Sequence, residues 1–219
     1  IVWFKRDLRI ADHNPLLAAA AVGRVLPLYI VEPEYWAEPD TSGRQWCFIR
    51  DSLLELRIAL ARIGQPLVVR LGDVVQILTG LHTHFGLGGM WSHEETGNAW
   101  TFARDRRVAS WCRTAGVLWT EFPQNGVIRG LSDRNGWARK WEHFMTAKLG
   151  KEASPLAPIP RLDPGPIPEA HSFGLDDDYC PQRQRGGRSA GIERLDSFLD
   201  ERGRRYRFEM SSPITAETA

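Results

Sequence analysis

With 219 residues, 42% of them hydrophobic and 25% charged, the chain can bury one domain of about 150 residues and carry an appendage. Its 28 Lys and Arg against 27 Asp and Glu leave a net charge of +1, which excludes a global field aimed at nucleic acid or acidic membranes. No apolar run approaches the ~20 residues of a bilayer span, and Cys47, Cys112 and Cys180 lie far apart, without disulfide-scaffold or zinc-ligand spacing, as suits a reduced cytoplasmic protein. Nine tryptophans are the unusual number. The chain starts at Ile1 inside an apolar run, without Met, and stops at Ala219 in mid-phrase, as a piece of something longer would.

Ile1-Val2-Trp3-Phe4 is short, β-branched and aromatic, and predicts a buried parallel strand that stops at Lys5-Arg6-Asp7-Leu8-Arg9. Pro15 opens a helix through Leu16, Leu17 and four alanines, and Gly23 ends it. Val25 to Val31 predicts a second strand, so the chain opens with a βαβ unit. Ser42 caps a long helix whose Trp46, Ile49, Leu53, Leu56, Leu60 and Ile63 share one face, and Gly64 and Pro66 stop it. Leu67–Leu71 predicts a third strand, Asp73 caps a helix through Ile77 and Leu78, and Gly89-Met90-Trp91 enters a fourth strand. A helix from about Asn98 to Thr114 turns Trp100, Ala103, Val108, Trp111 and Cys112 inward, and Val117-Leu118-Trp119 predicts a fifth strand. The expected fold class is α/β: a Rossmann-like five-stranded parallel sheet flanked by helices.

After Leu149 the pattern breaks. Pro155, Pro158, Pro160, Pro164, Pro166 and Pro168 exclude a continuous helix or central strand, and Asp176-Asp177-Asp178 and Gly186-Gly187 prolong the irregular stretch. A connection this long reads as an interdomain linker. Beyond it, Ile192, Leu195, Phe198 and Leu199 mark one amphipathic helix ending near Gly203, with nothing of its own to pack against.

Several common chemistries are missing. The only glycine cluster, Gly86-Leu87-Gly88-Gly89, precedes a strand, whereas a dinucleotide fingerprint sits between strand and helix. There is no phosphate-loop, nucleophile-elbow or H-E-x-x-H pattern. The architecture still predicts a ligand crevice at the carboxyl ends of the strands, where Arg6, Asp7, Glu32 and Glu94 stand.

The run Trp3-Phe4-Lys5-Arg6-Asp7-Leu8-Arg9-Ile10-x-Asp12-His13-Asn14-Pro15 resembles the W-F-R-R-D-L-R-x-x-D-N-P opening of the DNA photolyase and cryptochrome family, with Lys5 for an Arg and His13 inserted. Val25 to Ile30 resembles its second strand, and Ala103-Arg104-Asp105 with Val108 its R-x-R-D-x-x-V helix. Leu195-x-x-Phe198-Leu199 and Tyr206, followed by Ser212-Pro213, are similar to the lead-in to its flavin-binding helical domain. The resemblance implies an α/β antenna domain over residues 1–150, a linker over 151–187, and the truncated start of the FAD-binding domain over 188–219. It implies FAD as the cofactor of the full-length protein, with Tyr206 as part of the FAD phosphate site. It further implies an antenna chromophore of folate or deazaflavin type, for which Glu94 and Glu95 join Arg6, Asp7 and Glu32 as candidates; the local sequence departs from the family's commoner N-x-x-Y form.

Against each of these stands a plainer expectation. Arg6, Asp7 and Arg9 are read as a local ion-pair knot closing the strand-to-helix turn, with ligand contact as the alternative. His93-Glu94-Glu95 is read as a polar loop rather than a metal site, and no metal ligands are assigned. The tryptophans on the predicted sheet and helices are read as core, not as an electron-transfer chain. Trp137 and Trp141, four apart, are candidates for an interface with a further domain. Arginines 183, 185, 188, 204, 205 and 207 alternate with acids and read as a solvated helix.

The function so implied is the N-terminal domain of a light-driven deoxyribodipyrimidine photolyase, whose partner is damaged DNA bound through the helical domain. No catalytic residue is assigned to this chain, which is expected to be inactive alone. A cryptochrome photoreceptor, with a protein signalling partner, is the alternative, and a stand-alone nucleotide-binding α/β protein is a third reading.

Overall fold

The computed structural model describes residues 1–153, 155–176, 178 and 180–212. Asp177 of the acidic run and Pro213 of the Ser-Pro pair lie outside the described residues. Five strands, β1 (Val2–Phe4), β2 (Pro27–Val31), β3 (Val68–Leu71), β4 (Gly89–His93) and β5 (Leu118–Phe122), form one parallel sheet in the order β3-β2-β1-β4-β5. Between them run α1 (Asn14–Val22), α2 (Pro33–Trp36), α3 (Gly43–Arg62), α4 (Val74–Phe85) and α5 (Ala99–Ala115). The expected α/β architecture is the one observed.

The sheet is covered on both faces, which is why its strands read as unbroken apolar runs. Alternation along each strand divides them between two cores. Val2, Phe4, Tyr29 and Val31 face a core built with Leu16 of α1 and Trp46, Leu53, Leu56 and Leu60 of α3. Trp3, Leu28 and Ile30 face the opposite core, with Val74 and Leu78 of α4 and Val108 and Cys112 of α5. Each such buried side chain contributes about 1.5–3 kcal/mol, so the apolar face of α3 is a large share of what holds the domain together. The helix starts are set locally: the side chains of Ser42, Asp73 and Asn98 each accept the backbone N–H three residues on.

Two expectations are corrected. Ala103 is exposed; the inner face of α5 instead carries Thr101, Arg104, Asp105, Val108 and Cys112. Periodicity assigned that position to the core because it scored apolarity, whereas here a charged pair takes the inner face and is neutralised there. Arg6, Asp7 and Arg9 do not pair with one another: Arg6 pairs with Glu95 at 3.4 Å and Arg9 with Asp12 at 4.0 Å. Arg9 donates to the carbonyls of Ala11 and Asp12, and Asp7 turns inward to two histidines.

The proline-rich stretch does not hang free of the sheet. Val69 N–H donates to Pro164 C=O at 2.8 Å, covering the outer edge of β3, and Arg57 and Arg70 of that neighbourhood bond the carbonyls of Pro164 and Asp163. Leu156 and Ala170 enter the α3 core. Beyond β5, α6 (Trp137–Met145) buries none of its residues, and α7 (Arg188–Asp200) and the short α8 (Tyr206–Glu209) follow the proline stretch. No helix among the described residues is long and apolar enough to cross a membrane.

Candidate functional site: a crevice at the switch point of the sheet

Strand order reverses between β1 and β4, and an open α/β sheet leaves its ligand crevice there, outside the carboxyl ends of the strands. A cleft of about 730 Å³ occupies this place. Its floor is made by β1 and β2, its aromatic wall by Tyr29, Tyr35 and Trp36, and its polar rim by Lys5, Arg6, Glu32, Glu95 and Arg104.

Arg104 organises the rim. Projecting from the inner face of α5, it donates to Glu32 at 2.9 Å, to Glu95 at 3.2 Å and to Asp105 at 3.0 Å. Lys5 reaches the same Asp105 at 3.4 Å. Both cations lie over the Trp3 indole, each 4.8 Å from its centre, where the negative ring face attracts them. Three carboxylates and two cations thus share a site closed to bulk water. Burial pushes the Glu32 carboxyl up to about 7 despite the pull of Arg104, and pushes the Lys5 ammonium down against the pull of Asp105. At neutral pH Glu32 is therefore poised between donor and acceptor. Burial also raises the Tyr29 hydroxyl, so it stays protonated.

Beneath the rim, Asp7 joins three elements. Its Oδ2 accepts from His13 Nε2 at 2.8 Å and His93 Nδ1 at 2.6 Å, and its Oδ1 accepts the Lys5 backbone N–H at 2.8 Å. All three side chains are at most 2% exposed. Burial acts to raise the Asp7 carboxyl, but the two histidine hydrogen bonds outweigh it and hold it far below the usual carboxylate range. Residue types and proximity make Asp7, His13 and His93 a metal-ligand cluster on paper. The hydrogen bonding points elsewhere. His13 Nδ1 accepts the Leu16 N–H at 3.1 Å, so Nε2 carries the proton, and the lone pair a metal would need is not directed at Asp7. The cluster is a hydrogen-bonded staple joining β1, α1 and β4.

Of the residues expected from sequence, Arg6, Glu32 and Glu95 line the crevice. Asp7 supports it from below without lining it. Glu94 points away and pairs with Arg129 at 3.2 Å, beside Glu121. Tyr206 does not line the crevice; its ring meets Phe198 edge-on at 5.6 Å. Sequence reasoning missed Lys5, Arg104, Tyr29, Tyr35 and Trp36 as rim and wall. The signal for Arg104 was present: a charge on the stripe Trp100, Arg104, Val108 is costly unless paired.

The sequence profile of the DNA photolyase family matches residues 1–133. The chain belongs to this family. It corresponds to the N-terminal α/β domain of photolyases and cryptochromes. It is 29% identical over 223 residues to the cryptochrome DASH of Natronomonas pharaonis, covering 92% of this chain and 47% of that relative. It is 47% identical over 70 residues to the deoxyribodipyrimidine photo-lyase of Salmonella typhimurium, covering 31% of this chain and 15% of the relative. Among solved structures, a class III photolyase from Agrobacterium tumefaciens shares the fold, with a TM-score of 0.73 at 22% identity over 99% of this chain and 48% of its own. The chain thus spans about half the length of the relatives it matches throughout.

Proposed function

We propose that the crevice holds a light-harvesting chromophore of folate or deazaflavin type, and that the whole protein is a blue-light-driven flavoprotein that splits pyrimidine dimers in DNA. The observation that carries the first half is the crevice itself: planar aromatic walls with a carboxyl at its ionisation midpoint near neutral pH. A flat heteroaromatic ring fits such walls, and Glu32 and Glu95 suit its N–H edge. Arg6, more than half exposed, suits a polar tail, and Asp7 fixes the strand ends that carry these groups. The nucleotide-binding reading is disfavoured, because Arg104 is already paired with Glu32, Glu95 and Asp105.

The dimer-splitting reading leans on the 47% identity to a photo-lyase over 70 residues, 31% of the chain. In it, residues 1–150 form the antenna domain, 151–187 the linker and 188–219 the opening of the FAD-binding domain. Tyr206 belongs to the FAD site in that reading; within this chain its ring meets Phe198, and no step of flavin chemistry is assigned to it. Reduced FAD would supply the electron that opens the dimer, and flipping favours a lesion already weakly stacked. A cryptochrome photoreceptor with a protein partner is the second reading, favoured by the relative that matches 92% of the chain.

Blue-light irradiation of the full-length protein with dimer-containing DNA separates the two. Loss of dimers is expected, and undiminished dimers would leave the photoreceptor. Titration with 5-deazariboflavin and with 5,10-methenyltetrahydrofolate tests the crevice; quenching of tryptophan emission in the native protein but not in a Tyr35→Ala, Trp36→Ala variant is expected. Tight ATP binding in place of either would overturn the chromophore reading.

A further inference from the structure

Helix α7 begins badly by itself. Gly187 at its N-cap has no side chain to accept the first-turn N–H groups, and nothing in its own first turn is acidic. The cap comes instead from α3, more than 130 residues earlier. Glu55 accepts the Ser189 N–H and hydroxyl, both at 3.0 Å, Ser52 accepts the Gly187 N–H at 2.9 Å, and Asp51 accepts the Gly186 N–H at 3.3 Å. Arg183 closes the same cluster on Asp51 at 2.8 Å. A Cβ at Gly186 would collide with the Phe48 carbonyl, and one at Gly187, whose φ is +106°, with the Glu55 carboxylate. The Gly-Gly pair is therefore what lets the chain be gripped this closely.

The grip has an effect on the crevice. From this anchor α7 runs across it, and Gly187, Gly191, Ile192 and Leu195 line it from above, at helical spacing on one face. Ile192 and Leu195 remain 43% and 54% exposed, so the roof's apolar face lacks a partner on its inner side. The other walls are strand ends, α2, α3 and α5, whose opposite sides pack into the cores. The roof is held at its base by hydrogen bonds to buried Ser52 and half-buried Asp51 and Glu55, without the apolar burial that fixes the other walls, and is the first to open.

We propose that α7 is a roof over the crevice and that Asp51, Ser52 and Glu55 are positioning residues whose clamp sets how fast the crevice ligand exchanges. The proposal rests on the chromophore reading of the crevice for its ligand, though not for the roof. A flat ring beneath α7 would cover Ile192 and Leu195, so occupancy and clamping favour each other reciprocally.

The experiment uses the full-length protein in native, Glu55→Ala and Glu55→Gln forms. Dissociation of 5-deazariboflavin, followed by tryptophan emission, is expected to be at least tenfold faster in Glu55→Ala. Glu55→Gln, which keeps an accepting oxygen, is expected to restore most of the native rate. Equal rates in all three would overturn the roof while leaving the chromophore reading intact. If the probe binds none of them, the chromophore reading fails and the roof is judged without ligand. An Ile49→Cys reporter in the crevice wall, followed by peptide mass, should then react with a bulky thiol reagent at least tenfold faster in the Glu55→Ala background. An unchanged labelling rate would overturn the proposal.

Discussion

Asp7 has both oxygens committed, one to a backbone N–H and the other to two imidazoles, in a place closed to water. Replacing it with Asn removes the charge that makes these bonds strong, and urea unfolding should show a loss of about 2–4 kcal/mol. The pH dependence follows from the direction of each shift. Burial lowers His13, so as pH falls below 6.5 the unfolded chain takes the proton first and stability declines. Asp7, held low, adds to this loss only below about 3.8, where the unfolded carboxylate protonates. Glu32 acts oppositely: its folded carboxyl keeps the proton to about 7 while the unfolded one releases it near 4.5, so its share of stability shrinks as pH rises between those values. The Glu32→Gln variant should therefore gain in Tm relative to the native protein from pH 5 to pH 8; a flat difference would refute the assignment. Single residues were the least legible scale in the sequence. Glu32 is visible from its place at a strand end and Glu95 only through the family resemblance, and both line the crevice. His13 and His93 are not visible, because their partner is fixed only when β1 and β4, some 86 residues apart, come side by side.

Elements were easier to read, because caps and stripes are local. Ser42, Asp73 and Asn98 each announce a helix one residue ahead of its start, and each makes the cap its identity suggests. Asn98→Ala should cost about 1 kcal/mol of stability by thermal or urea unfolding, with Thr101 N–H losing its acceptor. Where an element was misjudged, a long-range partner was responsible. Ala103 was assigned inward since no local rule foresees that Arg104 and Asp105 would be paired in the interior. The prolines were correctly excluded from helix and sheet, but their carbonyls, free of any ladder, become acceptors for β3, Arg57 and Arg70. The capping of α7 by Glu55 has no local trace at all.

At the scale of the molecule, two well-filled cores contrast with the helices after β5. On α6, Trp137, Trp141 and Met145 are each more than 40% exposed, and on α7 and α8 so are Ile192, Leu195, Leu199 and Phe208. Their composition is that of surfaces made to be covered. The 219-residue chain purified alone is expected to lack a stoichiometric flavin spectrum, since Tyr206 is the only residue of the proposed FAD site assigned to it; a bright yellow fragment would contradict this. The sheet itself carries a mechanical asymmetry. β2 and β3 are joined through four register pairs and β4 and β5 through five, but β1 meets β4 through the single pair Val2 and Trp91. The sheet is thus two ribbons with a seam, crossed by Trp91 N–H to Ile1 C=O, by the Ile1 amino group to Gly89 C=O and by Asp7 to His93. The crevice opens along that seam. Pulled apart, the molecule should part there, with β3-β2-β1 leaving as one block, and whatever fills the crevice would act as mortar between the ribbons, raising the force needed to separate them.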